Sequence, residues 1–260
     1  MKYTNLGSRL KRTPLFKPLI YLKSLFYAPS SQNDESVILQ NLINLIPAIP
    51  KTFVEFGFSG WEFNCAELCE DWNGLLMDGD IYNVSISNIV HRNNIRAIHT
   101  WITLENLSII LEWMEKRALG VLSVDVDGND YWFIQSLLDS MPVIVIAEYN
   151  WVFGRRSITV PYSANFDRSS AHSSCNYYGA SLSALFLLLS SRGYSLVSVS
   201  DSGVNAFFVR NDCLPVGVEK LNPTQAYREQ GIASVLSTTE RWKAIKHLDF
   251  VDVSSLYHLN

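Results

Sequence analysis

The chain has 260 residues, 48% hydrophobic and 18% charged, with seven Trp, twelve Tyr and thirteen Phe. That composition suits one or two globular domains with a large apolar core and excludes a disordered chain. A net charge of −4 and a pI near 5.7 supply no overall basic field, so nucleic acid is not an expected partner.

The first 33 residues stand apart. Lys2, Arg9, Lys11, Arg12, Lys17 and Lys23 are six cations with no acid among them, which leaves −10 for the rest of the chain. They alternate with Leu15, Phe16, Leu19, Ile20, Leu22, Leu25, Phe26 and Tyr27. This basic N-terminal arm suits an anionic membrane surface or a protein partner; an arm packed on its own domain is the alternative. The apolar stretch 18–29 is too short to span a bilayer, and Lys23 interrupts it. No small-residue cleavage site marks a secretory signal, so a cytoplasmic protein is expected, with membrane association through the arm.

From Asp34 onward helices and strands alternate. Asp34 or Ser36 caps a helix carrying Val37, Ile38, Leu42, Ile43 and Ile46, which Pro47 and Pro50 end. Residues 52–56 are β-prone, Gly57 and Gly60 break the run, and 61–72 reads as a helix stopped by Asn73-Gly74. Strand 75–77, helix 82–90, strand 95–102 and helix 104–116 follow, the last with Thr103 as cap and Gly120 as stop. Strand 121–124 leads through Asp125-Val-Asp-Gly-Asn-Asp130 into a helix over 131–138, and 143–147 is the next apolar strand. Such alternation implies a parallel sheet covered on both faces.

A long loop, 150–178, precedes an apolar helix over 180–191 closed by Gly193. Strands 194–199 and 206–210 are separated by about six residues. A parallel crossover needs roughly a dozen, so the last strand runs antiparallel. The expected fold over 34–212 is α/β: a three-layer, Rossmann-like sandwich with a seven-stranded, mostly parallel sheet. Residues 213–260 read as a helical extension on the same domain, with Asn222-Pro223 opening one helix and a second over 239–247. The four cysteines, Cys65, Cys69, Cys175 and Cys213, lie in different contexts; Cys65 and Cys69, at i, i+4 spacing, lack a second pair to complete a zinc site and read as small core thiols.

In such a sheet ligands bind beyond the carboxyl ends of the strands. Those ends carry Glu55, Gly57 and Gly60, then Asp78 and Asp80, then residues 99–103, then Asp125 and Asp127, then Glu148 and Asn150. Glu55-Phe-Gly-Phe-Ser-Gly60 is the dinucleotide pattern G-x-G-x-x-G with Glu at its first position. A pyrophosphate beside that carboxylate would cost about 1 kcal/mol or more. S-adenosylmethionine has no phosphate and carries a sulfonium and an ammonium, so it suits this acidic, glycine-bearing rim. Asp78, 23 residues after Glu55, stands where a carboxylate receives both ribose hydroxyls. A cap or turn role is the alternative for Asp78 and for Asp80.

The order Val-Glu-Phe-Gly-Phe-Ser-Gly60, Gly-Leu-Leu-Met-Asp-Gly-Asp80, Leu-Ser-Val-Asp-Val-Asp-Gly-Asn-Asp130 and Ile-Ala-Glu-Tyr-Asn150 resembles the FkbM-like branch of class I S-adenosylmethionine-dependent methyltransferases over residues 52–210. The resemblance implies a seven-stranded sheet whose final strand is reversed, and O-methyl transfer to a hydroxyl of a small molecule or glycan. Many relatives have Asp-x-Gly-x-Asn in the first motif and Asp-x-Glu-Gly after the fourth strand; here Glu55-Phe-Gly57-Phe-Ser59 and Asp125-Val-Asp127-Gly128 stand instead. The expected cofactor set is Glu55, Gly57, Ser59, Gly60, Asp78 and Asp125. A non-catalytic binding or scaffold protein of the same fold is the competing function. A serine hydrolase using Ser59 is disfavoured, because the G-x-S-x-G spacing is missing.

Methyl transfer to an alcohol oxygen needs alignment and a way to remove the hydroxyl proton. Asp125 is the expected base. His172 is the histidine placed to assist, beside Ser173, Ser174, Asn176, Tyr177 and Tyr178, which suit a sugar-like acceptor. Asp125, Asp127 and Glu148, with Asn150 nearby, offer hard oxygen ligands for Mg²⁺, although Asp127 also suits a helix cap. His99 reads as a core or adenine-side residue, and His91, His247 and His258 as surface residues. Arg155 and Arg156 read either as holders of an acidic acceptor or as a solvated pair.

Overall fold

The computed structural model describes residues 16–91, 94–115, 117–229 and 237–257. Lys2, Arg9, Lys11, Arg12 and Leu15 of the arm, Lys116 at an expected helix end and His258 lie outside the described residues.

Short runs of β-branched and aromatic residues between turn formers give strands β1 (Thr52–Phe56), β2 (Asn73–Asp78), β3 (Ile95–His99), β4 (Val121–Val124), β5 (Ile144–Glu148), β6 (Ile158–Thr159), β7 (Tyr194–Val199) and β8 (Asn205–Arg210). Seven of them form one sheet in the order β3-β2-β1-β4-β5-β8-β7. From β3 to β5 neighbours are parallel, whereas β8 runs antiparallel to both β5 and β7. The chain turns back between β7 and β8 through residues 200–204, too few for a crossover, with Gly203 in the left-handed region at φ +70°. This is the expected three-layer, Rossmann-like sheet with its last strand reversed.

The helices up to β7 are α1 (Phe16–Ser24), α2 (Glu35–Leu45), α3 (Ile81–Val90), α4 (Ser108–Met114), α5 (Asp130–Leu137), α6 (Arg168–Ala171) and α7 (Leu182–Ser191). Side chains alternate across each strand, so β1 sends Val54 and Phe56 to one face and Phe53 to the other. The first face packs on α4, α5 and α7 through Ile110, Ile134 and Leu185. The second packs on α2 and α3 through Leu39, Leu42 and Val84. Among the described residues no helix is long and apolar enough to cross a membrane.

Three expectations are corrected. Residues 61–72 hold a 3₁₀ turn, Ala66–Glu70, in place of a full α-helix. The groups a helix would use are already committed: Ser30 N–H bonds to the Trp61 carbonyl, and Phe63 N–H bonds to the Ser30 carbonyl. The helix expected over 104–116 begins as a 3₁₀ turn capped by Thr103, with α4 following.

The C-terminal extension is not purely helical. Beyond α8 (Pro223–Ala226) and α9 (Thr238–Ile245), β9 (Val251–Asp252) pairs antiparallel with β6 inside the long loop. Aromatic contacts reinforce that pairing, with the Phe153 and Phe250 rings 5.3 Å apart and the Arg156 guanidinium 3.9 Å above the Trp242 ring. The extension thus buttresses the loop that covers the carboxyl edge of the sheet. Two-residue strands leave no readable period in a sequence.

Candidate functional site

Strand order reverses between β1 and β4, and the crevice outside their carboxyl ends holds a cavity of about 550 Å³. Gly57, Phe58 and Ser59 line it from β1, Asp78 and Gly79 from β2, Thr100, Trp101 and Ile102 from β3, and Asp125, Val126 and Asp127 from β4. The long loop closes it with Phe166, Asp167, Arg168, Ser169 and Cys175. Two hydrogen bonds pin that loop: Trp101 Nε1 donates to the Ala164 carbonyl and Asn129 Nδ2 to the Ser163 carbonyl, each at 2.8 Å.

Gly57 is required by the backbone. It has φ +71°, and a Cβ there would stand 1.5 Å from the Asp125 carbonyl oxygen. Gly57→Ala is expected to lower the unfolding free energy by about 3 kcal/mol or more, because no flexible side chain can move aside. An unchanged urea midpoint would contradict this. Gly60, expected to touch a cofactor, does not line the cavity. A Cβ there would meet Ile86, so its role is to let α3 pack closely, and its N–H donates to Asn83 Oδ1 at 3.2 Å.

Asp78 faces the cavity, and its Oδ1 accepts from Asp80 N–H at 2.6 Å and Asn83 Nδ2 at 3.2 Å. Burial raises its pKa, against the pull of those two hydrogen bonds. Asn83 therefore ties the β1 turn to the end of β2, a role with no sequence signal beyond its place in the first turn of α3. Asp80 caps α3 by accepting from Tyr82 N–H at 2.8 Å and does not line the cavity. His99 is exposed, with Nε2 3.0 Å from the Gly79 carbonyl. The aromatic member of the site is Trp101, half exposed, whose ring lies against Gly79.

Glu55 is the clearest correction. Its side chain is 1% exposed and turned away from the cavity toward the face that Phe53 occupies. Oε1 accepts from Asn64 N–H and Oε2 from Cys65 N–H, both at 2.8 Å, so the carboxylate anchors the start of the 3₁₀ turn. Burial raises its pKa while these N–H groups oppose the rise. The strand's period of two dictates this direction.

The acidic cluster differs from the expected one by one residue. Carboxylate oxygens of Asp125, Asp130 and Glu148 lie within 4.8 Å of one another. Asp127 is instead exposed, at φ +55°, and paired with the Arg168 guanidinium. Asp130 is fully buried and accepts N–H bonds from Val126 and Gly128 at 2.9 Å each, which folds the post-β4 loop inward. Burial, then mutual repulsion, lifts Asp125 and Glu148 well above the ordinary carboxylate range. Burial pushes Asp130 up to about 6. Glu148 Oε2 is buried without a hydrogen-bond partner. A hard divalent cation such as Mg²⁺ fits this donor set, with Asp130 in the place expected for Asp127.

Other expected site residues serve the loop. Asn150 is not among the cluster: its Oδ1 accepts from Val152 N–H, and its Nδ2 donates to the Asn176 and Tyr178 carbonyls. His172 does not reach the cavity; its Nδ1 lies 2.8 Å from Ser174 Oγ and its ring 6.4 Å from that of His247. Tyr177 donates its hydroxyl to the Asp249 carbonyl, and Tyr178 is buried with the Arg168 guanidinium 3.5 Å from its ring centre. Neither Arg155 nor Arg156 lines the cavity. His91 is half-buried, not a surface residue, and burial lowers its pKa to about 4. Cys65 and Cys69 are buried, as expected, whereas Cys175 is exposed at the cavity and Cys213 half-buried. Sequence reading missed Arg168, Phe166 and Asp130 as members of the site; only Asp130, beside a helix start, carried any signal.

No model of a known protein family matches the chain, and no curated protein matches it.

Proposed function

We propose that the protein is an S-adenosylmethionine-dependent methyltransferase acting on a hydroxyl of a small molecule or glycan. The observation that carries this reading is the Asp78 carboxylate at the end of β2, sharing one cavity with the Gly57 turn, the Trp101 indole and Asp125. Among the described residues only Oδ1 of Asp78 is engaged, which leaves Oδ2 for a pair of ribose hydroxyls. Trp101 offers a flat face to a purine, and Asp125 a carboxylate to an ammonium. A seven-stranded sheet with its last strand reversed is also what the likeness to class I methyltransferases implies. Ser59, at the cavity wall, adds a hydroxyl to the same turn.

When bound, S-adenosylmethionine supplies the methyl group of a sulfonium. The protein's own work is to hold the acceptor oxygen in line and to take its proton. In the metal-free site Asp125 performs the second task in this reading, since burial makes its carboxylate a stronger base than an exposed one. Mg²⁺ held by Asp125, Asp130 and Glu148 would lower the pKa of an acceptor hydroxyl. His172, which does not line the cavity, is left out of this reading.

Isothermal titration with S-adenosylhomocysteine tests the reading. Micromolar binding is expected for the native protein, and Asp78→Ala is expected to weaken it by about tenfold or more through loss of charge-assisted hydrogen bonds. No binding by the native protein would remove the methyltransferase reading and leave a non-catalytic binding module.

A further inference from the structure

We propose that α1 and the turn after it dock the protein on an anionic lipid bilayer, with the cavity mouth beside the docking face. This inference does not depend on methyl transfer. Helix α1 has no buried residue. Leu19, Tyr21, Leu22, Leu25, Phe26 and Tyr27 are all between 44% and 81% exposed. A contiguous apolar surface of this kind marks an interaction site.

Among the described residues, two ring contacts hold the helix to the domain. The Phe16 ring packs edge-on against Tyr82 at 5.8 Å, and the Lys23 ammonium sits 4.1 Å from the Trp61 ring centre. Tyr82 is in the first turn of α3 and Trp61 follows the β1 turn, so α1 lies at the carboxyl edge of the sheet, where the cavity opens. Ile81 and Trp101, on the same edge, are 46% and 53% exposed.

Charge selects the occupant. All six charged residues before Asp34 are cations, while the remainder of the chain carries −10. Among the described residues α1 carries Lys17 and Lys23 and no acid, so an acidic body with this cationic, apolar helix at one edge meets an anionic surface in a preferred orientation. An apolar groove on a protein would be served by the leucines and aromatics alone and would not call for cations without acids. Nine residues of helix cannot span a bilayer but can lie in its interface, with Phe26 and Tyr27 at headgroup depth.

Cosedimentation of the full chain with lipid vesicles tests this. Binding is expected to mixed phosphatidylserine–phosphatidylcholine vesicles, not to phosphatidylcholine alone, and is expected to weaken as salt is raised. The double variant Leu22→Asp/Phe26→Asp is expected to bind about tenfold more weakly or worse, with an unchanged melting temperature, since both side chains are exposed. Three results would each overturn the proposal. These are no binding to either vesicle, equal binding of native protein and double variant, or a vesicle-free dimer that the double variant abolishes. The last would make the face a protein interface.

Discussion

Glu55→Ala is expected to lower the melting temperature by about 8–15 °C while Asp78→Ala barely moves it. The substitution strips the acceptor from two backbone N–H groups, those of Asn64 and Cys65, inside a region with no water to replace it. Each orphaned donor costs about 1–3 kcal/mol, and the void left by the side chain adds to that. Relief from burying a carboxyl returns part of the loss, for a net of about 3–5 kcal/mol. Glu55→Gln keeps one acceptor oxygen, so its melting temperature should fall between those of the native protein and the alanine variant. It should still bind S-adenosylhomocysteine at the native level. Thermal unfolding with titration calorimetry on both variants checks this. A fully stable Glu55→Ala protein that has lost the ligand would return Glu55 to the binding site.

The second large effect is a stabilisation. Asp125, Asp130 and Glu148 all have pKa values above the ordinary carboxylate range in the folded protein. The folded state therefore holds protons that the unfolded chain releases, and stability falls as pH rises from about 4 through the raised values. Asp130, pushed up to about 6 by burial, contributes to that fall together with its two neighbours. Glu148→Gln removes one charge from the cluster at almost constant shape. At pH 8 in EDTA the variant is expected to melt several degrees above the native protein, and at pH 5 the gain should vanish. Added Mg²⁺ should reverse the order at pH 8, because the native triad gains a ligand that the variant holds less well. A variant that melts lower at pH 8 in EDTA would mean that the Arg168 charge already compensates Glu148. Native protein indifferent to Mg²⁺ would leave the cluster as a proton-sharing site with no metal.

What the sequence determined by itself is the architecture. Short apolar runs bounded by glycine, proline and asparagine placed the seven strands to within a few residues, since strand burial and turn chemistry are local properties. The short link before the last strand sufficed for its reversal, because a crossover has a minimum length whatever the rest of the chain does. The same reasoning brought Gly57, Ser59, Asp78, Asp125 and Asp127 to one crevice, and they do line one cavity.

Only the tertiary structure decided what each side chain does there. Glu55 and Asp78 share one face of the sheet by register, yet one lies inside β1 and is sealed under the 3₁₀ turn, while the other ends β2 beyond that cover and opens on the cavity. Asp127 and Asp130 differ by three residues in a loop; a left-handed backbone at Asp127 turns it out to Arg168 and brings Asp130 in beside Glu148. His172 lies in the covering loop but faces Ser174, with its ring beside that of His247 from the far end of the chain. Local sequence fixes where chain elements form; what a side chain meets depends on how turns and loops outside any regular period fold over it and on which strands the sheet sets beside it.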